Sequence, residues 1–466
     1  MLEYLHLKNV GPAPEMQMEL APRLNLITGD NGLGKSFLLD VAWWALTRRW
    51  PAEVNEKLSS GLMARPTRSG PASIELSFHA KVKKERYRSE FDRRAETWTG
   101  RPGRPANPGL VLYAQVDGGF AVWDPARNYW KRNEAGAPLD RQPAYVFSAT
   151  EVWKGLTAGE TTLCNGLITD WALWKKENGE AFDQLKRVLA VMSPSPTERL
   201  VPGELGKLSV GDARWIPTLR MPYGEDVLIP MASAAMKRIV SLAYLLVWSW
   251  QEHVRAAALL DEKPTSQVTF LIDELESHLH PRWQRTIVRS LLEVMQSLAG
   301  QSTVQLIAAT HSPLLLASVE PIFDQKKDAW FDLDLQPGAG KVVLQKRPFV
   351  RLGDVSHWLT SEAFDLKEAR SLEAESAIQQ ALELARSPAP EVSAVERVNG
   401  LLCASLSDID RFWVRWSAFR DEILAGDAHT KAAIAPPSVG HRARPPRSGS
   451  RAPGAGDLSK PRKARG

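Results

Sequence analysis

At 466 residues, with 44 % apolar and 24 % charged residues, the chain can fill one large core or two modest ones and has the balance of an ordinary folded protein. Two cysteines, Cys164 and Cys403, argue against a disulfide scaffold or a cysteine-built metal centre and fit a reducing cytoplasm. Of the formal charge of +5, residues 441–466 supply +7 (eight Arg or Lys against one Asp), which leaves about −2 for the preceding 440 residues.

In chain order, residues 2–10 and 15–20 read as strands. Glu3 and this strand-like start leave no secretory signal pattern. Residues 24–39, LNLITGDNGLGKSFLL, read as an apolar strand, a glycine-bearing loop and a new helix, with the spacing GxxxxGK[ST]. Glycines in such a loop let successive backbone N–H groups converge on phosphate oxygens, and the helix adds its positive N-terminus. Gly29, Asp30, Asn31, Gly32, Leu33, Gly34, Lys35, Ser36 and Phe37 are therefore the candidate nucleotide contacts. Lys35 brings a point charge, and the Ser36 hydroxyl stands where a nucleotide's magnesium ion needs a ligand.

Residues 72–78 and 83–91 read as paired strands, and 110–115 and 120–123 as a second pair around Asp117-Gly118-Gly119. Lys81, Lys83, Lys84, Arg86, Arg88, Arg93, Arg94, Arg101 and Arg104 form the one internal basic cluster, interspersed with Glu85, Glu90, Asp92 and Glu96. It reads either as a solvated strand face and loop or as a nucleic-acid or partner surface. From 150 to 192 the pattern turns helical, and Pro194, Pro196 and Pro202 punctuate the exit. A long helix is expected over 232–255, whose apolar run 239–250 is too short to cross a bilayer and is broken by Ser241 and Ser249.

Residues 268–281, VTFLIDELESHLHP, read as the most apolar strand ending in adjacent carboxylates. Paired with a phosphate loop, this is the second half of an ATP site. Asp273 would hold magnesium and Glu274 would orient and polarise the attacking water. His278 and His280 alone would suggest zinc, but no third ligand or cysteine stands nearby, and a turn after the strand explains them better. A helix over 281–299 and a strand over 304–308 follow. His311 stands at that strand's end, where sheet topology brings it beside the phosphate loop. Beyond it a helix–strand mixture runs to 350, and helices dominate from 358 to 424.

GDNGLGKS at 29–36, LIDELESHLHP at 271–281 and ATHSP at 309–313 together resemble ATPases of the ABC/SMC-like superfamily, in particular the small RecF-like and OLD-like AAA-type bacterial ATPases of DNA repair and antiphage defence. The resemblance implies an α/β fold: a P-loop NTPase head of ABC/SMC type, with a RecA-like mixed sheet, an adjoining antiparallel β lobe, an inserted helical lobe and a mostly helical C-terminal region. The expected domains are a head over 1–350 with its helical insertion at about 150–200, a helical extension over 351–430, and a disordered Pro/Gly/Ser/Arg tail over 431–466.

The resemblance further implies ATP and Mg2+ as cofactors and a homodimer or higher homo-oligomer closing around two ATPs. Lys35, Glu274 and His311 would be its catalytic set, and Ser36 and Asp273 its metal ligands, with Gln115 as a metal-sensing glutamine. Ser233, in MASAAMKRIVSLAY at 231–244, falls where the family has the serine that contacts the partner's γ-phosphate, although Ala234, Ala235 and Met236 depart from the usual signature. Lys237 and Arg238 are expected to begin the helix behind it. Double-stranded DNA and a separately encoded effector such as a nuclease are the partners it admits; a membrane partner is not expected. Coiled-coil arms are absent from the sequence pattern. Asp408 and Asp410 imitate the DxD of a nuclease but fall in what reads as a helix. The alternative is a slow or non-enzymatic ATP-gated scaffold.

Overall fold

The computed structural model describes residues 1–79, 84–100, 106–130, 137, 139–336 and 340–434. Lys81, Lys83, Arg101, Arg104, the Lys84 side chain and the 441–466 stretch lie outside the described residues. The chain forms two compact units, Met1–Ala369 and Arg370–Gly466.

The first unit is built on an eight-stranded mixed sheet. Its strand order is Lys341–Arg347, Asp328–Gln336, Leu24–Gly29, Thr303–Ala309, Gln267–Ile272, Leu110–Ala114, Phe120–Trp123 and Tyr145–Phe147. The second to sixth of these run parallel, and antiparallel strands close both edges. Parallel strands need cover on both faces and read as continuous apolar runs, and all six residues of Gln267–Ile272 are buried. On one face Leu26, Leu112, Phe270 and Leu306 pack with Leu167–Glu177, Glu180–Val191, Ala234–Leu259 and Ile287–Ala299. On the other, Ile27, Tyr113, Leu271 and Ile307 meet the helix Lys35–Thr47 and a five-stranded antiparallel sheet. That sheet runs Glu15–Glu19, Leu2–Lys8, Ser73–His79, Lys84–Asp92 and Thr97–Trp98. The α/β class, the mixed sheet and the adjoining antiparallel lobe are thus as expected.

Three local expectations need correction. The hairpin Leu156–Ala158/Thr161–Cys164 and the small sheet Val201–Pro202, Thr218–Arg220 and Asp226–Leu228 went unread, because strands of two to four residues carry no measurable alternation. The helix expected over 281–299 is two, Pro281–Gln284 and Ile287–Ala299. The long helix starts at Ala234, with Ser233 as its N-cap, so Lys237 and Arg238 lie in its second turn and do not begin it.

The first unit also extends past the expected boundary at 350. Trp358 is buried against Trp330 and Phe349, and Glu320 accepts its indole N–H at 2.7 Å and the Leu352 N–H at 2.8 Å. Aromatic burial of this size, with its polar edge satisfied, keeps 351–369 with the sheet. The second unit contains Leu372–Arg386, Val392–Ser405 and Phe412–Ile434 around Ile378, Val398, Leu402 and Trp416. No described helix is long and apolar enough to cross a membrane.

Candidate nucleotide site

The registers of the parallel strands align their C-terminal ends: Ile27 pairs with Ala309, and Ile272 with both Ala308 and Ala114. The turns leaving four neighbouring strands therefore share one edge, where ligands bind in open α/β sheets. The first turn is the phosphate loop. Gly29 has φ of +133°, and a Cβ there would meet the Leu333 carbonyl oxygen at 2.2 Å. Only glycine fits. Gly34, at φ +103°, is the N-cap of Lys35–Thr47. Asp30, Asn31 and Gly32 are exposed at the tip of the loop, while Leu33 and Phe37 pack partly onto the core below. Lys35 is buried and its ammonium donates to the Gly29 and Asp30 carbonyls at 2.7 and 2.8 Å. Burial lowers its pKa against the pull of Asp273, Glu274 and Asp30.

Ser36 is exposed, one residue on, with its hydroxyl near enough to Asp273 to favour the ionised carboxylate. Asp273 is buried, its N–H donates to Ala114 O at 2.9 Å, and its Oδ1 has no hydrogen-bond partner. Burial pushes its carboxyl above the usual range more strongly than Ser36 pulls it down. Gln115 is fully buried, and neither its Nε2 nor its Oε1 has a partner. Buried Trp43 Nε1, Trp171 Nε1, Ser249 Oγ and Thr269 Oγ1 also lack partners, so what points to a ligand here is that the Gln115 amide and Asp273 Oδ1 lie together beside the phosphate loop. A hydroxyl, a carboxylate oxygen and an amide oxygen are the hard donors that magnesium takes, so Ser36, Asp273 and Gln115 fit that ion.

Glu274 follows at φ +44°, a left-handed conformation that costs an L-residue about 1–2 kcal/mol and is typical of functional turns. The turn after Thr303–Ala309 carries His311, half-buried. Burial and the Lys35 ammonium lower its pKa, with Glu274 and Asp30 opposing, so its imidazole is neutral at pH 7. Lys35, Ser36, Gln115, Asp273, Glu274 and His311 thus gather at one edge of the sheet.

Ser233 does not join them. It is exposed and accepts the Met236 N–H, at the rim of a separate cavity of about 810 Å³ shared with Leu219–Tyr223 and the 278–283 segment. His280 Nδ1 accepts the Arg282 N–H and so caps Pro281–Gln284. Among the described residues no group of three or more His, Cys, Asp or Glu could hold a metal ion. In the second unit Asp410 is engaged by Arg370 through two bonds of 2.9 Å and caps Phe412–Ile434.

Sequence reasoning missed the part three neighbours play here. Asp40, one helical turn after Ser36, accepts the Tyr113 hydroxyl at 2.9 Å, and burial pushes its carboxyl up to about 7. The i, i+4 spacing was a usable signal. Arg238 donates from Nη1 to Gln115 O at 3.1 Å and lies within electrostatic reach of Asp273, Asp117 and Glu274. Glu276 accepts the Thr310 hydroxyl at 2.7 Å and the His311 N–H. These contacts join residues 34 to 123 positions apart, beyond any local pattern.

The family described as "AAA domain, putative AbiEii toxin, Type IV TA system" matches residues 24–317. Over 105 residues, 22 % of this chain, the sequence is 33 % identical to the "Retron Vc95 probable ATPase" of Vibrio cholerae serotype O1 biovar El Tor, and the match spans 16 % of that relative's length. Distant solved structures include the SMC head domain from Thermotoga maritima, with 15 % identity, a TM-score of 0.37 and coverage of 74 % of this chain and 99 % of that one. The recombination mediator RecF–ATPrS has 12 % identity and a TM-score of 0.36, covering 75 % of this chain and 98 % of the other.

Proposed function

From the premise that the chain belongs to this AAA-domain family, we propose that it is a magnesium-dependent ATPase whose turnover gates a partner. The observation that carries the reading is the pair of orphaned buried groups, Gln115 and Asp273 Oδ1, beside Ser36 and Lys35. A folded chain rarely leaves such atoms unpaired unless a ligand completes them.

In this reading the 29–36 backbone cradles the phosphates, and Lys35 exchanges its two carbonyl partners for phosphate oxygens. Ser36, Asp273 and Gln115 hold magnesium, which when bound neutralises charge on the phosphates. Glu274 orients and polarises the attacking water, with its backbone pre-bent at positive φ. His311, neutral, donates or accepts one hydrogen bond at the γ-phosphate end of the site. Ser233 lies outside the cluster, which suits a contact to ATP held by a second copy. That copy makes the working form a homodimer or larger homo-oligomer.

The partner is double-stranded DNA or a separately encoded effector. Cytoplasmic residence suits the buried Cys164, whose thiol burial pushes up to about 12, and the free Cys403.

The test is ATP hydrolysis by the purified chain, wild type beside Glu274→Gln, with and without double-stranded DNA. The expected result is turnover in the wild type and a loss of at least ~100-fold in the variant with ATP binding kept. DNA stimulation assigns DNA as the trigger, whereas indifference to DNA assigns a protein. Equal turnover in both proteins removes Glu274 from the mechanism.

A further inference from the structure

One side chain joins the turn after the acidic strand to the turn after its parallel neighbour, and the ATPase reading leaves it without a role. Glu276 Oε2 accepts the Thr310 hydroxyl at 2.7 Å, and Oε1 accepts the His311 N–H. Thr310 is fully buried, and its Oγ1 in turn accepts the Ser312 N–H at 3.0 Å. Ser312 Oγ donates to Gln284 Oε1 at 2.7 Å, and Gln284 Nε2 donates to Leu279 O at 2.9 Å. The bonds therefore run from Glu276 through the His311 turn and back to the 278–284 segment, which shares a cavity with Ser233.

Holding the two strands together does not require Glu276. Leu275 N already donates to Ala309 O at 3.2 Å, and the strands exchange a full parallel ladder. What Glu276 adds is specific to position 311, because the acceptor of that residue's own N–H sets where its Cα, and hence its imidazole, can sit. A charged acceptor holds an N–H more firmly than a neutral one. It also carries a cost here, since burial and the Glu274 carboxylate both disfavour the ionised form, while Thr310 and the His311 N–H favour it. A carboxylate kept at that cost, with both oxygens committed to one turn, is a clamp.

Resting on the ATPase reading, we infer that Glu276 is the positioning residue for His311 and the hydrogen-bonded link between that turn and the 278–284 segment beside Ser233.

Steady-state ATP hydrolysis by full-length wild type, Glu276→Ala, Glu276→Gln and Thr310→Val tests this. A misplacement of ~1 Å in a reacting group costs on the order of 100-fold. The expected result is kcat down at least ~10-fold in Glu276→Ala with KM within ~2-fold, and a smaller loss of kcat in Thr310→Val. Glu276→Gln keeps an acceptor for the His311 N–H and an amide donor for Thr310 Oγ1, so it recovers most of the turnover. A kcat within ~2-fold of wild type in Glu276→Ala and Thr310→Val overturns the inference alone. Equal losses in Glu276→Gln and Glu276→Ala also overturn it, because the Gln side chain still offers the His311 N–H an acceptor, and the bond to position 311 would then not be what sets turnover. If Glu276→Ala does not fold, kcat in Thr310→Val decides between the same two outcomes. Absence of turnover in the wild type overturns the ATPase reading, and this inference with it.

Discussion

Two clusters of buried polar groups lie at opposite ends of the same strands, and they are finished differently. At one end Asp124, wholly buried, accepts His253 Nδ1–H and the Ala126 N–H at 2.8 Å each through Oδ1, and Arg127 Nε at 2.6 Å through Oδ2. His253 Nε2 accepts the Thr265 N–H at 2.8 Å, which ties the loop before Gln267–Ile272 to the long helix Ala234–Leu259. The Arg127 guanidinium lies over the Tyr145 ring at 4.1 Å, where its buried Nη2 has no hydrogen-bond partner, while both oxygens of Asp124 and both ring nitrogens of His253 are paired. At the other end Gln115 makes no side-chain bond and Asp273 keeps an empty oxygen. Buried polar groups that are satisfied fasten a fold, whereas those left unsatisfied cost stability until a ligand arrives. The first cluster is a fastening and the second is a site.

Substitution should separate the two. The largest effect is expected at the site. Lys35→Ala removes a buried ammonium, and ATP affinity measured by titration should fall ~30- to 1000-fold, equivalent to about 2–4 kcal/mol. Unchanged affinity would remove the loop from nucleotide binding. At the fastening, Asp124→Ala leaves His253 and Arg127 without their carboxylate and should cost about 3–5 kcal/mol in urea unfolding, with hydrolysis per folded molecule unchanged.

The pH sign follows from Asp124. Burial alone would raise its pKa, but His253 and Arg127 outweigh burial and hold it below the usual carboxylate value. A depressed folded-state pKa means stability that is present above about pH 4 and lost as pH falls through the folded value. The gap in stability between wild type and Asp124→Asn should therefore be full at pH 7 and close in acid. A gap that widens in acid would assign the fastening to another group.

How far the sequence could be read follows the same division between local and distant contacts. The phosphate loop was legible because its needs are met by consecutive residues: glycines at positive φ, then a lysine and a helix. The acidic strand was legible because six buried residues followed by two carboxylates are a contiguous signal. Gln115 could be suspected only from its place after an apolar strand; that both its amide atoms are orphaned is a fact of packing. Glu276 read as one acid among several, since its partners lie 34 and 35 residues away. The 351–369 stretch looked like the start of the helical extension, because its loyalty to the sheet rests on Trp358 meeting Trp330 and Phe349.

A finer test of the comparison is Gln115→Leu. Replacing an unsatisfied buried amide by an apolar group of similar volume should raise the nucleotide-free stability by about 1–3 kcal/mol. The same change removes a donor oxygen from the metal position. The extra melting temperature gained on adding magnesium and ATP should then shrink, and turnover should fall. A variant that gains stability and loses response marks a group kept for its ligand. A variant that loses stability would mean that Gln115 fastens the turn, as Asp124 fastens its own.

The smallest effect is expected where the sequence drew most attention by charge alone. Three of the four described arginines of the basic cluster are already engaged. Arg86 Nε pairs with Glu75 at 2.6 Å, Arg88 pairs with Glu90 at 3.1 Å, and Arg93 donates to the Arg68 and Gly70 carbonyls at 2.7 and 3.1 Å. A guanidinium that must give up a carboxylate gains less from a phosphate than a free one, and it releases fewer counter-ions from DNA. The double variant Arg86→Ala/Arg88→Ala should therefore change stability by less than about 1 kcal/mol and double-stranded DNA affinity by less than ~2-fold. Its salt dependence should fall by less than about one unit in slope. If affinity instead drops more than ~10-fold and the slope falls by about two, both arginines leave their carboxylates for phosphates and the antiparallel lobe is a DNA surface. That outcome would put the trigger on the same sheet that packs against the phosphate-loop helix, and would favour DNA over a protein effector.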